Sequence, residues 1–126
     1  MGLELGATAE VTRRFSIEDM AAYTSLGGHA VPDESVPEPL VNALFSYLLG
    51  VKLPGVGTNY LKQESKFITP AKLGEDLTAR VEVTRLRPEK DLVDLQTTCR
   101  SSDGTLVCEG RALVYVRDVE ANPNAE

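Results

Sequence analysis

The chain has 126 residues, of which 42% are hydrophobic and 25% are charged, and its net charge is −6. This length suits a single domain that buries roughly two thirds of its unfolded surface. The acidic balance disfavours nucleic acid as a partner, because the sequence has no basic patch to neutralise phosphates. No apolar run reaches the roughly 20 residues that span a bilayer, so no membrane segment is predicted. The N-terminus does not resemble a secretory signal, and the expected location is the cytoplasm.

The first half of the chain predicts one strand and two helices. Apolar and polar residues alternate over 7–15, which is typical of a strand. Ser16 and Asp19 have the spacing of a helix N-cap and its partner, and a second such pair is Ser35 and Glu38. The helix predicted after this second pair, up to Gly50, is apolar on nearly every side and is therefore expected to be buried.

The second half predicts strands over 58–69, 77–86 and 92–115, the last folded as a hairpin at Asp103-Gly104. This hairpin would place Cys99 and Cys108 opposite or nearly opposite each other, and two buried reduced thiols are favoured over a disulfide. One long antiparallel sheet around one buried helix is an α+β architecture. A single copy leaves sheet edges uncovered, so a homodimer is expected.

Two motifs carry a resemblance to a known family. Residues 53–63 read Leu-Pro-Gly-x-Gly-Thr-x-Tyr-Leu-x-Gln, and residues 67–76 read Phe-x-x-Pro-x-x-x-Gly-Glu-Asp. Together with the order of elements, they resemble the MaoC-like (R)-specific hydratases and dehydratases over 15–116. The resemblance implies a hotdog domain over 1–117, followed by a polar tail over 118–126. It also implies a hydro-lyase that acts on an α,β-unsaturated acyl thioester, with coenzyme A or acyl carrier pantetheine as part of the substrate and no separate cofactor.

The family's acid–base motif, Asp-x-Asn-Pro-x-His, is altered in this chain. Aligned on the end of the first helix, His29 falls on the family's Asp, Pro32 on its Pro and Glu34 on its His. One hypothesis is therefore a swapped dyad, in which the His29 imidazole and the Glu34 carboxylate act on one water molecule. In the alternative, His29 is a solvent-facing loop residue, and Glu34 belongs to an acidic turn ahead of a helix N-terminus.

Further residues are predicted to contact the substrate. The resemblance implies that backbone N–H groups around Val36 to Glu38 polarise the thioester carbonyl. Asn42 is weighed between substrate binding and a hydrogen bond to the sheet or within a dimer interface, and Tyr60 between substrate binding and architecture. Glu38 could instead serve only as the capping partner of Ser35. The predicted substrate-binding set is Pro32, Val36, Glu38, Asn42 and Tyr60, and no metal site is predicted.

Two other functions stay open at this stage. The chain could be a non-catalytic ligand-binding or partner subunit beside an active paralogue, since some MaoC-like systems are heterodimers in which one chain lacks the dyad. It could also be a hotdog thioesterase, since that branch of the fold uses a carboxylate near the central helix to activate water. Glu34 or Glu38 would then support thioester hydrolysis.

Overall fold

The computed structural model describes residues 2–29 and 34–119. Five antiparallel strands form one sheet in the order β1-β3-β4-β5-β2. The strands are β1 (Thr8–Arg14), β2 (Asn59–Phe67), β3 (Asp76–Arg87), β4 (Leu92–Ser101) and β5 (Leu106–Tyr115). The helices are α1 (Ile17–Ser25) and α2 (Glu38–Tyr47), and α2 packs on one face of the sheet. The predicted polar tail lies outside the described residues from position 120 onward.

The sheet supplies most of the core because its inward residues alternate strictly. On β3, four inward side chains are at most 1% exposed, and β4 and β5 repeat the pattern. These β3 residues are Leu77, Ala79, Val81 and Val83. The central helix adds five buried apolar side chains from the helix and the turn after it, namely Val41, Leu44, Phe45, Leu48 and Leu49. The apolar area removed from water between these two layers is the main stabilising contribution to the fold.

The helix α1 begins as predicted. Ser16 accepts a hydrogen bond from the Asp19 backbone N–H through its hydroxyl oxygen, and the Asp19 carboxylate accepts from the Ser16 N–H. The carboxylate also accepts from the Ser16 hydroxyl. These hydrogen bonds from Ser16 lower the pKa of Asp19, and the nearby Arg13 guanidinium acts in the same direction. Arg13 and Asp19 also form an ion pair, with 3.5 Å between Nη2 and Oδ1. None of the residues of α1 is buried, so the cap and this ion pair hold a helix that contributes little to the core.

The start of α2 differs from the prediction. Its N-cap is Pro37, and no side chain of the described residues caps the helix. Ser35 instead forms an isolated antiparallel bridge with Lys72, which draws the chain into extended structure before the helix begins. The predicted capping box of Ser35 and Glu38 is therefore wrong, and Glu38 has no capping role.

The end of α2 also differs. The helix continues beyond Tyr47 as a π-helical turn over Leu48–Lys52, so Gly50 lies inside this turn rather than ending the helix. The helix is not buried on every side in the single chain, because Tyr47 is 45% exposed and Ala43 is also exposed. The apolar residues away from the sheet instead line a cavity beneath α1.

The hairpin of β4 and β5 follows the prediction. Cys99 pairs directly with Cys108, both thiols are free, and both residues are fully buried. Burial raises the pKa of Cys99 to about 12. The two cysteines therefore serve as small core residues, as the sequence predicted.

Candidate active site

A cavity lies at the start of α2, at the end of the helix that carries a positive partial charge. It has a volume of about 500 Å³ and lies between the helix and the connection from β2 to β3. Its lining is mainly apolar, with Ser35, Glu38 and Thr69 as polar members. The apolar residues of the lining include Val36, Val41, Phe67, Ala71 and Val107. The volume falls within the range of small-molecule sites.

Backbone hydrogen bonds fix the segment that leads into this cavity. The Glu34 carbonyl oxygen accepts from the Leu73 N–H at 2.9 Å, and the Val36 N–H donates to the Ala71 carbonyl oxygen at 2.7 Å. Together with the bridge between Ser35 and Lys72, these bonds tie residues 34–36 to residues 71–73 as a short antiparallel pair. The first turn of α2 is thereby held against the cavity.

This pairing narrows the predicted carbonyl-binding group to one donor. The Val36 N–H is already bonded to Ala71, and Pro37 and Pro39 have no N–H. Glu38 is the first residue of the helix, where a backbone N–H has no partner within the helix. Within residues 36–39, the backbone N–H left to face a substrate is therefore that of Glu38.

The two members of the predicted acid–base pair lie on either side of the undescribed residues 30–33. His29 and Glu34 are both exposed in the single chain. Glu34 has a φ of 54°, an uncommon backbone conformation that often marks functional segments. Pro32 lies outside the described residues. The prediction that His29 and Glu34 share one water molecule stays a prediction.

Asn42 hydrogen-bonds to the sheet, which was one of its two predicted roles. Its Oδ1 accepts from the Ser65 hydroxyl at 2.9 Å. Ser65 lies on β2, two residues before the cavity-lining Phe67, and both point to the helix side of the sheet. Asn42 lies one turn after Glu38 on α2. The hydrogen-bonded pair Asn42–Ser65 therefore lies further along α2 and β2 than Glu38 and Phe67, on the side away from the start of the helix.

Tyr60 lies away from this cavity. It precedes Phe67 by seven residues, which is about 23 Å along an extended strand. Its hydroxyl donates to Gln63 Oε1, and partial burial raises the pKa of Tyr60 to about 12. Its predicted contact with substrate stays a prediction, while its link to Gln63 shows an architectural role.

Comparison with known proteins identifies the family. No family model matches the chain. An (R)-specific enoyl-CoA hydratase of Aeromonas caviae is 36% identical over 89% of this chain and 94% of the relative. The solved structure of the (R)-hydratase from A. caviae superposes with a TM-score of 0.85, covering 90% of this chain and 97% of that one. The chain belongs to the MaoC-like (R)-specific enoyl-CoA hydratase family.

A second relative extends the match over almost the whole chain. It is a 3-hydroxybutyryl-CoA dehydratase of Methylorubrum extorquens, 31% identical over 98% of this chain and 87% of the relative. The predicted hotdog fold and the predicted MaoC-like family are therefore confirmed. The predicted class of enzyme, a hydro-lyase, is confirmed with them.

Ser65 was missed by the sequence analysis of this MaoC-like chain. The signal was present, since the alternation of β2 places Gln63, Ser65 and Phe67 on one face. A serine on an edge strand was passed over because its partner, Asn42, lies 23 residues away on a different element.

Proposed function

We propose that this chain adds water to, or removes water from, the double bond of an α,β-unsaturated acyl thioester, with the reacting carbonyl held at the start of α2. The observation that carries this proposal is the Glu38 N–H, the one unbonded backbone donor within residues 36–39, beside a mainly apolar cavity of about 500 Å³ in a chain of this family. Coenzyme A or acyl carrier pantetheine would form part of the substrate, and no separate cofactor is proposed.

The chemistry needs one base, one acid and a donor to the carbonyl oxygen. In the hydration direction, the base takes a proton from water while the water oxygen bonds to the β-carbon. The π electrons move onto the thioester oxygen, where the Glu38 N–H stabilises the negative charge. The acid then delivers a proton to the α-carbon, and the carbonyl re-forms. His29 and Glu34 supply the acid and the base in this proposal.

A second copy of the chain would complete the site. In the single chain, His29 and Glu34 are exposed, so water and counter-ions would weaken their action on a substrate. The strand β2 is an edge of the sheet, and exposed apolar side chains lie along it and beside it, including Leu61 at 55% and Ile68 at 47%. Pairing of β2 with the same strand of a second copy would cover this edge.

The test of the acid–base pair is the rate of hydration of crotonyl-CoA by the variants His29→Ala and Glu34→Gln. Each is expected to lower kcat by about a hundredfold or more, because each removes a proton-transfer group. Glu18→Gln is the matched control, since Glu18 is an exposed carboxylate on α1. Wild-type rates in both variants would contradict the assignment of the pair.

Release of free thiol from crotonyl-CoA is measured in the same assay. Hydration without thiol release is expected. Thiol release without hydration would instead support the thioesterase, and no reaction with either readout would support the non-catalytic partner subunit.

A further inference from the structure

The helix α1 ends in a Schellman motif, a pair of backbone hydrogen bonds that closes the last turn of a helix. The Gly28 N–H donates to the Tyr23 carbonyl oxygen, and the Gly27 N–H donates to the Thr24 carbonyl oxygen, both at 3.0 Å. Gly27 has a φ of 100°, a left-handed conformation that strains any residue with a side chain. The motif therefore fixes the direction in which the chain leaves the helix toward His29.

The side chain of Tyr23 makes a second contact with Gly28. A Cβ built on Gly28 would lie within 2.6 Å of three carbons of the Tyr23 ring, so the ring packs directly against the Gly28 backbone. In Schellman motifs, a hydrophobic side chain at the position of Gly28 often contacts the residue at the position of Tyr23. Here the glycine leaves that space to the ring. Tyr23 thus holds Gly28 through two groups, its carbonyl oxygen and its ring.

Tyr23 also lies on the side of α1 that faces the central helix. Together with Leu26, the residue that ends α1, it lines the mainly apolar cavity of about 390 Å³ beneath α1. Leu40 and Tyr47 of α2 line the same cavity. The ring therefore connects the backbone just before His29 with the part of the fold that carries α2.

His29 depends on the residues before it for its position. Its side chain is exposed, so packing of the imidazole itself contributes little to its orientation. The preceding residue, Gly28, has the backbone with the fewest steric restrictions of any amino acid. Contacts that hold Gly28 thus decide where the imidazole points.

We propose that Tyr23 is a positioning residue that sets the orientation of His29 relative to α2. This inference rests on the proposed function, in which His29 transfers a proton. Without the ring, Gly28 would sample other backbone conformations, and only some of the molecules would hold the imidazole beside the substrate. The entropy of one residue's backbone sets this fraction at about one tenth.

The experiment measures hydration of crotonyl-CoA by Tyr23→Ala and Tyr23→Phe. Tyr23→Ala is expected to fold, because none of the residues of α1 is buried. It should lower kcat by about tenfold and change KM by less than about threefold, since His29 acts in the chemical step rather than in binding. Tyr23→Phe keeps the ring carbons that contact Gly28 and should retain the wild-type kcat. A wild-type kcat in Tyr23→Ala would overturn the inference.

Tyr47→Ala is the matched control, because it removes a tyrosine from the same cavity. The three nearest atoms to a Cβ on Gly28 all belong to Tyr23, so this control leaves the contact in place. It should keep the wild-type kcat. A loss equal to that of Tyr23→Ala would overturn the inference, since packing of the cavity would then matter rather than the contact with Gly28.

A double variant shows whether Tyr23 acts through His29. In the His29→Ala background, Tyr23→Ala should cause no further loss of kcat, because the group that the ring positions is already absent. A further loss equal to that in the wild-type background would overturn the inference, since Tyr23 would then act on the fold or on the substrate instead.

NMR relaxation keeps this test separate from the proposed function. The heteronuclear NOE of the His29 backbone amide reports fast backbone motion and needs no substrate. It should fall in Tyr23→Ala and keep its wild-type value in Tyr23→Phe and Tyr47→Ala. If the wild type does not hydrate crotonyl-CoA, or if His29→Ala keeps the wild-type rate, the proposed function or its assignment of His29 fails, and this measurement decides the inference alone. An unchanged NOE in Tyr23→Ala would overturn it.

Discussion

Glu38 shows how neighbouring residues can leave one backbone donor without a partner. Pro37 and Pro39, on either side of Glu38, have no N–H, and the N–H of Val36 is bonded to Ala71. The sequence motif of Ser35 and Glu38 suggested a capping box, in which the Ser35 hydroxyl oxygen would have accepted from the Glu38 N–H and occupied that donor. The structure places Ser35 in a bridge to Lys72 instead, so Glu38 is available to the cavity that it lines.

The buried thiols give a second prediction for single residues. Burial, followed by the neighbouring Cys108, raises the pKa of Cys99 from 9.0 to about 12. The folded state thus holds its proton where the unfolded state releases it. The stability from this group is full below about pH 9 and is lost as the pH rises toward about 12. We expect alkylation of Cys99 by iodoacetamide at pH 9 to be slow in the folded protein and fast in urea, as mass spectrometry would show. Equal rates would contradict the burial of this residue.

At the scale of an element, two glycines respond in opposite ways to the same change. A Cβ on Gly110 would lie 1.8 Å from the Glu64 carbonyl oxygen of β2, whereas a Cβ on Gly50 would meet nothing within 4 Å. Gly110→Ala should therefore lower the free energy of unfolding by about 1–3 kcal/mol through overpacking. Gly50→Ala should raise it by about 0.5–1 kcal/mol, because alanine restricts the unfolded chain. Urea unfolding measures both, and a loss of stability in Gly50→Ala equal to that in Gly110→Ala would refute the distinction.

The elements that local patterns define were predictable from the sequence. The Ser16–Asp19 cap, the five strands and the facing pair Cys99 and Cys108 all follow from spacing and alternation. The errors occur where distant contacts override the local pattern. Ser35 pairs with Lys72 across the fold, and the helix continues through Gly50 because packing of Leu48 and Leu49 extends it.

The site was predictable only in part, for the same reason. Val36 and Glu38 do line one cavity. The partnership of Asn42 with Ser65 depends on how β2 lies against α2, which no local pattern contains. The swapped pair of His29 and Glu34 stays a prediction, because residues 30–33 between them are outside the described structure.

At the scale of the whole molecule, the central expectation is that two copies form the active enzyme. None of the helices among the described residues is long and apolar enough to cross a membrane. The surface that the second copy is expected to cover is the β2 edge of the sheet. Leu61→Glu places a charge on this edge and should give a monomer in sedimentation velocity, with kcat lowered by about tenfold or more because the site loses its cover.

Lys52→Gln is the control for this dimer prediction, since Lys52 is exposed and its side chain contacts the Glu10 carbonyl oxygen on β1, away from β2. It should leave the sedimentation coefficient and the rate unchanged. A wild-type protein that sediments as a fully active monomer would show that the single chain is sufficient.

The position of the thioester carbonyl at the start of α2 is tested most directly by kcat/KM for hydration of crotonyl-CoA by Glu38→Pro and Glu38→Gln. Proline is well tolerated at the first position of a helix, so Glu38→Pro removes the N–H and keeps the fold. We predict a loss of about 10²–10³-fold in Glu38→Pro, the effect of removing one donor to a developing oxyanion, and a loss below about threefold in Glu38→Gln, which keeps the N–H. A folded Glu38→Pro with the wild-type kcat/KM would contradict the assignment of the thioester carbonyl to the start of α2.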